Sequence, residues 1–203
     1  MSEQHQMDDD RLKSLVIGCL QNNRKSQEAV FATFYGKMMA VCRRYTGDEN
    51  QAKDILQDGF IKVFGNLDKF NFDGSLEGWI RRIMVNTAID HTRRKKAHLK
   101  RIDEENPIEE VGSEIVDDQE EEPNEAYSLE VSDIREGMKS LSTAYRNVFN
   151  LYVFEDYSHQ EIAEKLNISV GTSKSNLAKA RANLKKILQK ELDKRHGKSP
   201  ERV

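Results

Sequence analysis

The sequence contains few of the residues that cross-link a chain, break its helices or anchor it in a membrane. Its 203 residues include two cysteines, Cys19 and Cys42, and three prolines. Two such cysteines build neither a disulfide scaffold nor, on their own, a zinc site, and so few prolines disfavour a turn-rich β protein. No apolar run approaches the about 18 residues of a membrane-spanning helix, and the acidic N-terminus lacks the apolar core of a secretion signal. We therefore expect a cytoplasmic protein without membrane insertion, metal or cofactor.

Apolar side chains are also scarce. The hydrophobic set makes up 37% of the chain and aromatic residues 7%, against 33% charged residues. One large core is hard to build from this composition, whereas two small cores are not. Apolar positions recur at helical spacing over residues 8–97 and again over 131–195. The sequence therefore predicts an all-α protein with two small helical domains, 8–97 and 131–195, joined by a linker over 98–130.

The linker is distinguished by its charge. Residues 102–131 hold thirteen Asp and Glu side chains and no Lys or Arg, and Pro107 and Pro123 interrupt them. Such a segment cannot bury enough apolar surface to offset the entropy of an ordered chain. We expect a flexible acidic arm.

Residues from Tyr157 to about Leu192 have the pattern of a helix–turn–helix. Ser158 and Glu161 stand at the spacing of a capping box. Asn167 tolerates the left-handed backbone of a tight turn, and Ser169 can cap the helix that follows. The face expected to point inward consists of Ile162, Leu166, Ile168, Val170, Leu177 and Leu184. An ordinary helical hairpin is the alternative interpretation.

Positive charge is concentrated in two segments that flank the linker. Residues 80–101 hold eight Lys and Arg against one Asp, and residues 172–198 hold nine against two acidic residues, so each segment carries a net charge of +7. Two basic patches on two domains suit a long polyanion contacted at two places. Solvated helix faces are the alternative for either patch alone.

Four stretches of sequence occur in an order and spacing typical of one family. They are DILQDGF at 54–60, FDGS at 72–75 followed by WIRRIMVN at 79–86 and DHTRR at 90–94, LSTAYRNVF at 141–149, and GTSKS at 171–175. Together they resemble regions 2.2, 2.3–2.4, 4.1 and 4.2 of bacterial RNA polymerase sigma factors of the extracytoplasmic-function (ECF) type. The resemblance covers residues 25–97 and 131–190, and it implies a region 2 helical bundle and a region 4 helix–turn–helix domain.

The resemblance also implies roles for individual residues. A polar face at i, i+3 and i+4 of one helix would dock on the coiled coil of the β′ subunit of core RNA polymerase, with the docking set Asp54, Gln57, Asp58 and Phe60. The loop 71–75 would capture a base flipped from the −10 element, and arginines would hold phosphates and the non-template strand. The −10 set is Asn71, Phe72, Asp73, Gly74, Arg81, Arg82, Asn86, Arg93 and Arg94. The −35 set is Thr172, Lys174, Ser175, Ala178, Lys179 and Arg181.

The partners implied are core RNA polymerase, through its β′ and β subunits, and promoter DNA in double- and single-stranded form. An anti-sigma factor is a further candidate. The acidic linker resembles the arm that threads the RNA path of the polymerase. The recognition helix departs from many relatives at Ser173, Asn176 and Ala178, so no −35 sequence can be transferred to this chain.

Two other classes of function compete with this interpretation. A stand-alone helix–turn–helix regulator that binds an operator as a dimer is the alternative, but it leaves the first domain and the acidic arm unexplained. An enzyme is not expected, because the sequence contains no phosphate-loop, dinucleotide-binding, zinc-protease or serine-hydrolase motif. The five histidines are scattered, and His159 is expected on the surface rather than as a ligand. Trp79 is expected to pack in the core rather than to stack on a base.

Overall fold

The computed structural model describes residues 3–103 and 131–195, and most of the predicted linker, residues 104–130, lies outside them. Within those two ranges every regular element is a helix, which confirms the all-α prediction. The chain divides into two compact units between Arg94 and Lys95. Each unit is described by itself. The predicted domain limits stay a prediction.

The first unit is a bundle of four α-helices and one short 3₁₀ turn. Its elements are α1 (Glu3–Leu20), α2 (Arg24–Tyr45), α3 (Glu49–Gly65), the 3₁₀ turn (Leu67–Lys69) and α4 (Leu76–Asp103), and residues 95–103 of α4 continue past the limit of the unit at Arg94. Side-chain oxygens at the helix starts accept hydrogen bonds from backbone N–H groups that have no partner within the helix.

Those N-terminal caps follow one pattern in three of the helices. Asn23 accepts from the N–H of Ser26 at 3.2 Å, and Asp48 accepts from the N–H of Gln51 at 2.8 Å. Ser75 accepts from the N–H of Gly78 at 3.0 Å. A short polar side chain therefore marks the start of each of these helices.

Helix α4 continues beyond the predicted domain end at residue 97 and ends at Asp103. Its last turns are rich in Lys, Arg, Ala and Leu, which are strong helix formers. Cations near a helix C-terminus also interact favourably with the helix dipole. Residues 98–103, which the sequence assigned to the linker, are therefore helical.

The core of the first unit is almost entirely apolar. Its fully buried side chains include Val16, Val30, Met38, Tyr45, Ile55, Val63, Leu67, Ile80, Met84 and Ile89. Helices α3 and α4 approach closely at Gly59, where an added Cβ would lie 2.2 Å from Sδ of Met84. A side chain at this position would force the two helices apart or displace Met84.

The second unit is a four-helix arrangement around one long helix. Its elements are α5 (Val131–Ser140), α6 (Thr143–Val153), α7 (His159–Leu166) and α8 (Val170–Arg195). Helix α8 packs against α5, α6 and α7. Because these three helices are too short to be stable alone, their packing on α8 accounts for the order of the unit.

The predicted turn chemistry of the helix–turn–helix is confirmed. The Ser158 hydroxyl and the Glu161 carboxylate form a reciprocal capping box at the start of α7. Asn167 ends α7 with φ 54° and ψ 52°, in the left-handed region. Ser169 Oγ accepts from the N–H of Thr172 at 2.9 Å and so caps α8.

The inward face of the helix–turn–helix differs from the prediction at its turn. Ile162, Leu177 and Leu184 are buried as expected. Val170, however, is 42% exposed, because it is the first residue of α8 and precedes the turn that packs on α7. Ser173 takes the inward position instead, with 0% exposure.

Arg146 is a buried charge that the sequence analysis did not single out. Its guanidinium donates to the carbonyl of Lys139 at 2.6 Å and to the carbonyl of Leu141 at 2.8 Å. Both carbonyls lie at or just past the end of α5, where backbone acceptors lack partners within the helix. Burial lowers the pKa of Arg146, although a guanidinium stays charged at any ordinary pH. Arg146 therefore ties the end of α5 to α6.

Candidate polymerase and nucleic-acid interfaces

The predicted docking residues lie on helix α3 of the first unit. Asp54, Gln57 and Asp58 are all exposed, and their spacing places them on one face of the helix. Phe60 is 3% exposed, and its ring centroid lies 4.7 Å from that of Phe31. Phe60 therefore belongs to the core, and it can support the exposed face but cannot project from it.

An apolar groove lies beside this acidic face, between α2 and α3. It has a volume of about 380 Å³, and Phe60 and Gln57 contribute to its lining. Three large apolar side chains along it are exposed to solvent: Phe31, Tyr35 and Ile61. Ile61 is 63% exposed, which is unusual for an isoleucine next to a polar face. Exposed apolar surface of this kind marks an interaction site more often than a solvated one.

Sequence reasoning missed this groove. Phe31 stands at an apolar position of α2, and helical spacing does not reveal which apolar stripe a neighbouring helix leaves uncovered. The feature of the sequence that indicates the groove is Ile61. It follows Gln57 by four residues, so it extends the polar face of α3 where another polar residue would be expected.

The loop between the 3₁₀ turn and α4 is braced by its own polar side chains. The amide of Asn71 donates to the carboxylate of Asp73 at 2.5 Å. In return, Oδ1 of Asn71 accepts from the N–H of Asp73 at 3.3 Å. Gly74 has φ +98°, a conformation open to glycine and rare for other residues. The loop is therefore a defined turn.

This turn presents one aromatic ring to solvent. Phe72 is 41% exposed and has φ +64°, a left-handed conformation that is uncommon for a residue with a bulky side chain. Beneath it, the buried ring of Phe70 lies 5.0 Å from Phe72 and 5.5 Å from Trp79. Such a backbone conformation costs about 1–3 kcal/mol and persists where its surroundings impose it. Trp79 is half-buried and its ring packs on Phe70, and the expectation that it does not stack on a base stays a prediction.

Helix α4 carries a polar and basic stripe away from this loop. Arg82, Asn86 and Arg93 are exposed, and their spacing of four and seven residues places them on one side of the helix. Arg94 is also exposed, whereas Arg81 is half-buried. The single acidic residue among 80–101, Asp90, forms an ion pair with Lys62 at 3.5 Å. The stripe is therefore basic with its one negative charge compensated.

The predicted −35 residues are divided by the burial of helix α8. Thr172, Lys174, Ser175 and Arg181 are exposed, whereas Ala178 and Lys179 are half-buried. The Thr172 hydroxyl shares a 2.8 Å hydrogen bond with the Ser169 hydroxyl at the helix cap. Of the predicted −35 residues, three are therefore exposed and take no part in the N-terminal cap of α8: Lys174, Ser175 and Arg181.

His159 does not lie on the open surface, as the sequence suggested, but is half-buried between helices. Its Nδ1 is 2.9 Å from Oγ of Ser173 on α8, and its ring stacks on Tyr152 of α6 at 4.8 Å. Burial lowers the pKa of His159, and the positive charges of Lys174 and Arg181 lower it further. The imidazole is therefore held in its neutral form near neutral pH.

Metal ligands and membrane-spanning helices also bear on the class of site. Within the described residues no group of three or more His, Cys, Asp and Glu side chains could hold a metal ion. In the same part of the chain, no helix has the length and apolar character needed to cross a membrane.

Comparison with known proteins places both units in one family. Sigma-70 region 2 matches residues 30–98, and Sigma-70, region 4 matches residues 132–184. The ECF RNA polymerase sigma factor SigW of Bacillus subtilis is 33% identical over 174 residues, which cover 82% of this chain and 92% of SigW. The RNA polymerase sigma-E factor of Streptomyces avermitilis is 30% identical over 160 residues, covering 78% of this chain and 83% of that protein.

Among solved structures, the fold is similar to a sigma factor from Bartonella quintana. That protein, RpoE, was solved in complex with the anti-sigma factor NepR. The match has a TM-score of 0.50 and 20% identity, and it covers 80% of this chain and 96% of that one. The family matches, the SigW relationship and the shared fold agree: the chain belongs to the RNA polymerase sigma factors of the ECF type.

Proposed function

We propose that this chain binds core RNA polymerase and directs promoter recognition, DNA melting and transcription initiation, without catalysing a reaction itself. The observation that carries the proposal is the braced loop that exposes Phe72 at the head of a basic helix. A helix–turn–helix regulator that binds only duplex DNA does not require an exposed aromatic ring on an ordered loop. A protein that captures an unstacked base requires a surface on which that base can stack. Because its partners are cytoplasmic, we place the protein in the cytoplasm.

Docking to the polymerase would use the acidic face and the groove together. Asp54 and Asp58 offer negative charge to a basic partner such as the β′ coiled coil, and charge complementarity of this kind speeds and orients association. Affinity at interfaces comes mainly from a desolvated apolar centre inside a polar rim. The groove at Tyr35 and Ile61 supplies that centre. We infer that apolar side chains of the polymerase enter it.

Promoter melting would use the loop and helix α4. Taking a base out of the duplex costs a few kcal/mol, and stacking of a base on an aromatic side chain returns about 1–3 kcal/mol. Phe72 is presented for such stacking, with the polar groups of Asn71 and Asp73 beside it to contact base edges. Arg82, Asn86 and Arg93 would then follow the single strand.

Recognition of the −35 element would use helix α8. In a helix–turn–helix, residues near the N-terminus of the second helix contact base edges in the major groove. Lys174 and Ser175 fall in this position and are exposed. Lys185 and Lys190 come later and are also exposed, and we assign them to phosphates or solvent.

An anti-sigma factor is a further proposed partner. The solved relative from Bartonella quintana is held by such a protein. An inhibitor of this chain would need to cover surfaces that the polymerase or the promoter uses, and the groove on α2 and α3 is one such surface.

The experiment that tests the proposal is reconstitution of transcription. Purified chain is added to core RNA polymerase with genomic promoter fragments, and transcripts are mapped to their start sites. We expect discrete new starts that require both components. A chain that binds DNA tightly as a dimer without polymerase, and gives no new starts with it, would support the operator-binding alternative instead.

A further inference from the structure

We propose that the hydrogen bond between His159 and Ser173 positions the recognition helix and thereby contributes to discrimination among −35 sequences. The inference rests on the proposed function, because it assumes that α8 contacts the −35 element. It assigns a role to two residues outside the predicted DNA-contacting set. His159 lies at the start of α7, and Ser173 lies in the first turn of α8.

The geometry links three of the four helices of the second unit, α6, α7 and α8, at one place. Nδ1 of His159 is 2.9 Å from Oγ of Ser173. The imidazole stacks on Tyr152 of α6 with an interplanar angle of 25°. On α8, the guanidinium of Arg181 lies 5.8 Å from the centre of the Tyr152 ring. His159 therefore contacts both of the helices that flank its own.

The location of Ser173 determines what the bond can control. Successive residues of an α-helix point about 100° apart, so a fixed direction for Ser173 also fixes the directions of Lys174 and Ser175. Ser173 is fully buried, and a buried hydroxyl is stable only where it keeps a hydrogen-bonding partner. A rotation of α8 about its axis would remove that partner. An apolar contact in the same place would tolerate such a rotation, because dispersion and burial are not directional.

The charges around His159 favour the neutral ring that this arrangement uses. Lys174 and Arg181 approach from α8, Tyr152 contributes an uncharged ring from α6, and the positive end of the α7 dipole is nearby. A further positive charge on the imidazole would be repelled by the side chains of Lys174 and Arg181. His159 therefore acts as a hydrogen-bonding group near neutral pH and not as a cation that binds phosphate.

The test is a double-mutant cycle on the full chain assembled with core RNA polymerase. Ser173→Ala removes the hydroxyl, and His159→Phe keeps a ring to stack on Tyr152 while removing Nδ1. Affinity is measured for a promoter and for single-base variants of its −35 element, and thermal unfolding of each variant is measured in parallel. We expect each single substitution to reduce the discrimination ratio about three- to tenfold, the range of one hydrogen bond. The double substitution should reduce it no further than the larger single effect.

A conservative variant separates positioning from simple stability. In His159→Asn the side-chain amide places a polar atom near the position of Nδ1 without an aromatic ring. Recovery of discrimination in this variant, with or without full recovery of thermal stability, supports the proposal. Additive single effects, or variants that scale the affinity of every −35 sequence equally, would overturn it. A wild-type chain without any promoter-dependent binding would instead overturn the proposed function, a result visible before any variant is measured.

Discussion

The two units place their polar chemistry in opposite locations. In the first unit the interior is largely apolar, with Thr46 and Thr87 among its few buried polar residues, and charged groups such as Asp54, Asp73 and Arg82 lie toward solvent. In the second unit polar side chains enter the interior, among them Arg146, Asn150 and Ser173. Polar substitutions should therefore have different consequences in the two units. Replacing an exposed charge of the first unit should change the binding of partners, and replacing a buried polar residue of the second unit should change its stability.

The largest expected effect is on polymerase binding by the first unit. The double substitution Asp54→Lys and Asp58→Lys reverses two charges on an exposed face, and like charges across an interface cost several kcal/mol. We expect affinity for core RNA polymerase to fall by more than about 100-fold, with the unfolding transition within about 0.5 kcal/mol of wild type. Competition for core polymerase and urea unfolding measure the two quantities. Equal competition by variant and wild type would remove this face from the dock.

The next largest effect is expected on the free energy of unfolding of the second unit. Arg146→Met keeps much of the side-chain volume but removes the donors to the carbonyls of Lys139 and Leu141. Hydrogen bonds from a charged group are each worth about 1.5–3 kcal/mol, so we expect the free energy of unfolding to fall by about 3 kcal/mol. Arg135→Ala, at an exposed position on α5, is the matched control and should change it by less than about 0.5 kcal/mol. Similar values for the two variants would show that Arg146 does not tie α5 to α6.

A third substitution separates function from stability within the first unit. Phe72→Gly removes the exposed ring and suits the positive φ, so we expect promoter opening to weaken about tenfold while the fold becomes slightly more stable. Phe72→Tyr keeps the ring and serves as the control. Permanganate reactivity of promoter thymines reports opening, and filter binding reports closed-complex formation. Unchanged thymine reactivity in Phe72→Gly would mean that no base stacks on Phe72.

Alanine substitutions at two glycines of the first unit compare a closely packed position with an open one. Gly59→Ala brings a Cβ onto Met84, and overpacking of this kind costs about 1–3 kcal/mol, partly offset by the better helix propensity of alanine. Gly36→Ala, in the middle of α2 with no heavy atom within 4 Å of the added Cβ, has only the gain of up to about 1 kcal/mol. Thermal unfolding should therefore move in opposite directions for the two variants. A gain in stability for Gly59→Ala would show that Met84 relaxes without cost.

The smallest effect is a pH dependence of the second unit. The pKa of His159 is lowered below its ordinary 6.5 by burial and by Lys174 and Arg181. The unfolded chain therefore binds this proton more readily, so the free energy of unfolding falls as the pH drops below 6.5. Glu161, whose pKa is lowered by the Ser158 hydrogen bonds, loses its contribution only below its ordinary 4.5. His159→Phe should flatten the curve in the first window alone, and an unchanged curve would mean that His159 does not titrate differently on folding.

Much of this architecture follows from local sequence signals. The capping box at Ser158, the left-handed turn at Asn167 and the cap at Ser169 each depend on a few neighbouring residues, and all three are confirmed. The helical spacing of the apolar positions also predicted that every described element is a helix. These features are predictable because their causes lie within one turn of the residue concerned.

The remaining features depend on residues far apart in the chain. Ser173 can be buried because its hydroxyl bonds to His159, fourteen residues earlier. Helical period alone predicts an apolar residue such as Val170 on the inward face of α8. Ile61 is exposed because no described helix covers the groove between α2 and α3. The strained backbone of Phe72 is imposed by Phe70, Asn71 and Asp73 together. The residue-level assignments to polymerase and promoter stay predictions until the experiments above are made.

The braced loop has a consequence for the kinetics of promoter opening. Ordering one residue of a flexible chain costs about 1–2 kcal/mol in backbone entropy, and that cost would fall on the melting step if the loop formed only around its base. Here the Asn71–Asp73 hydrogen bonds and the Phe70–Phe72 contact order the loop during folding. If the loop captures a base as proposed, that base would meet a preorganised surface, and the barrier to opening would consist mainly of the unstacking of the DNA.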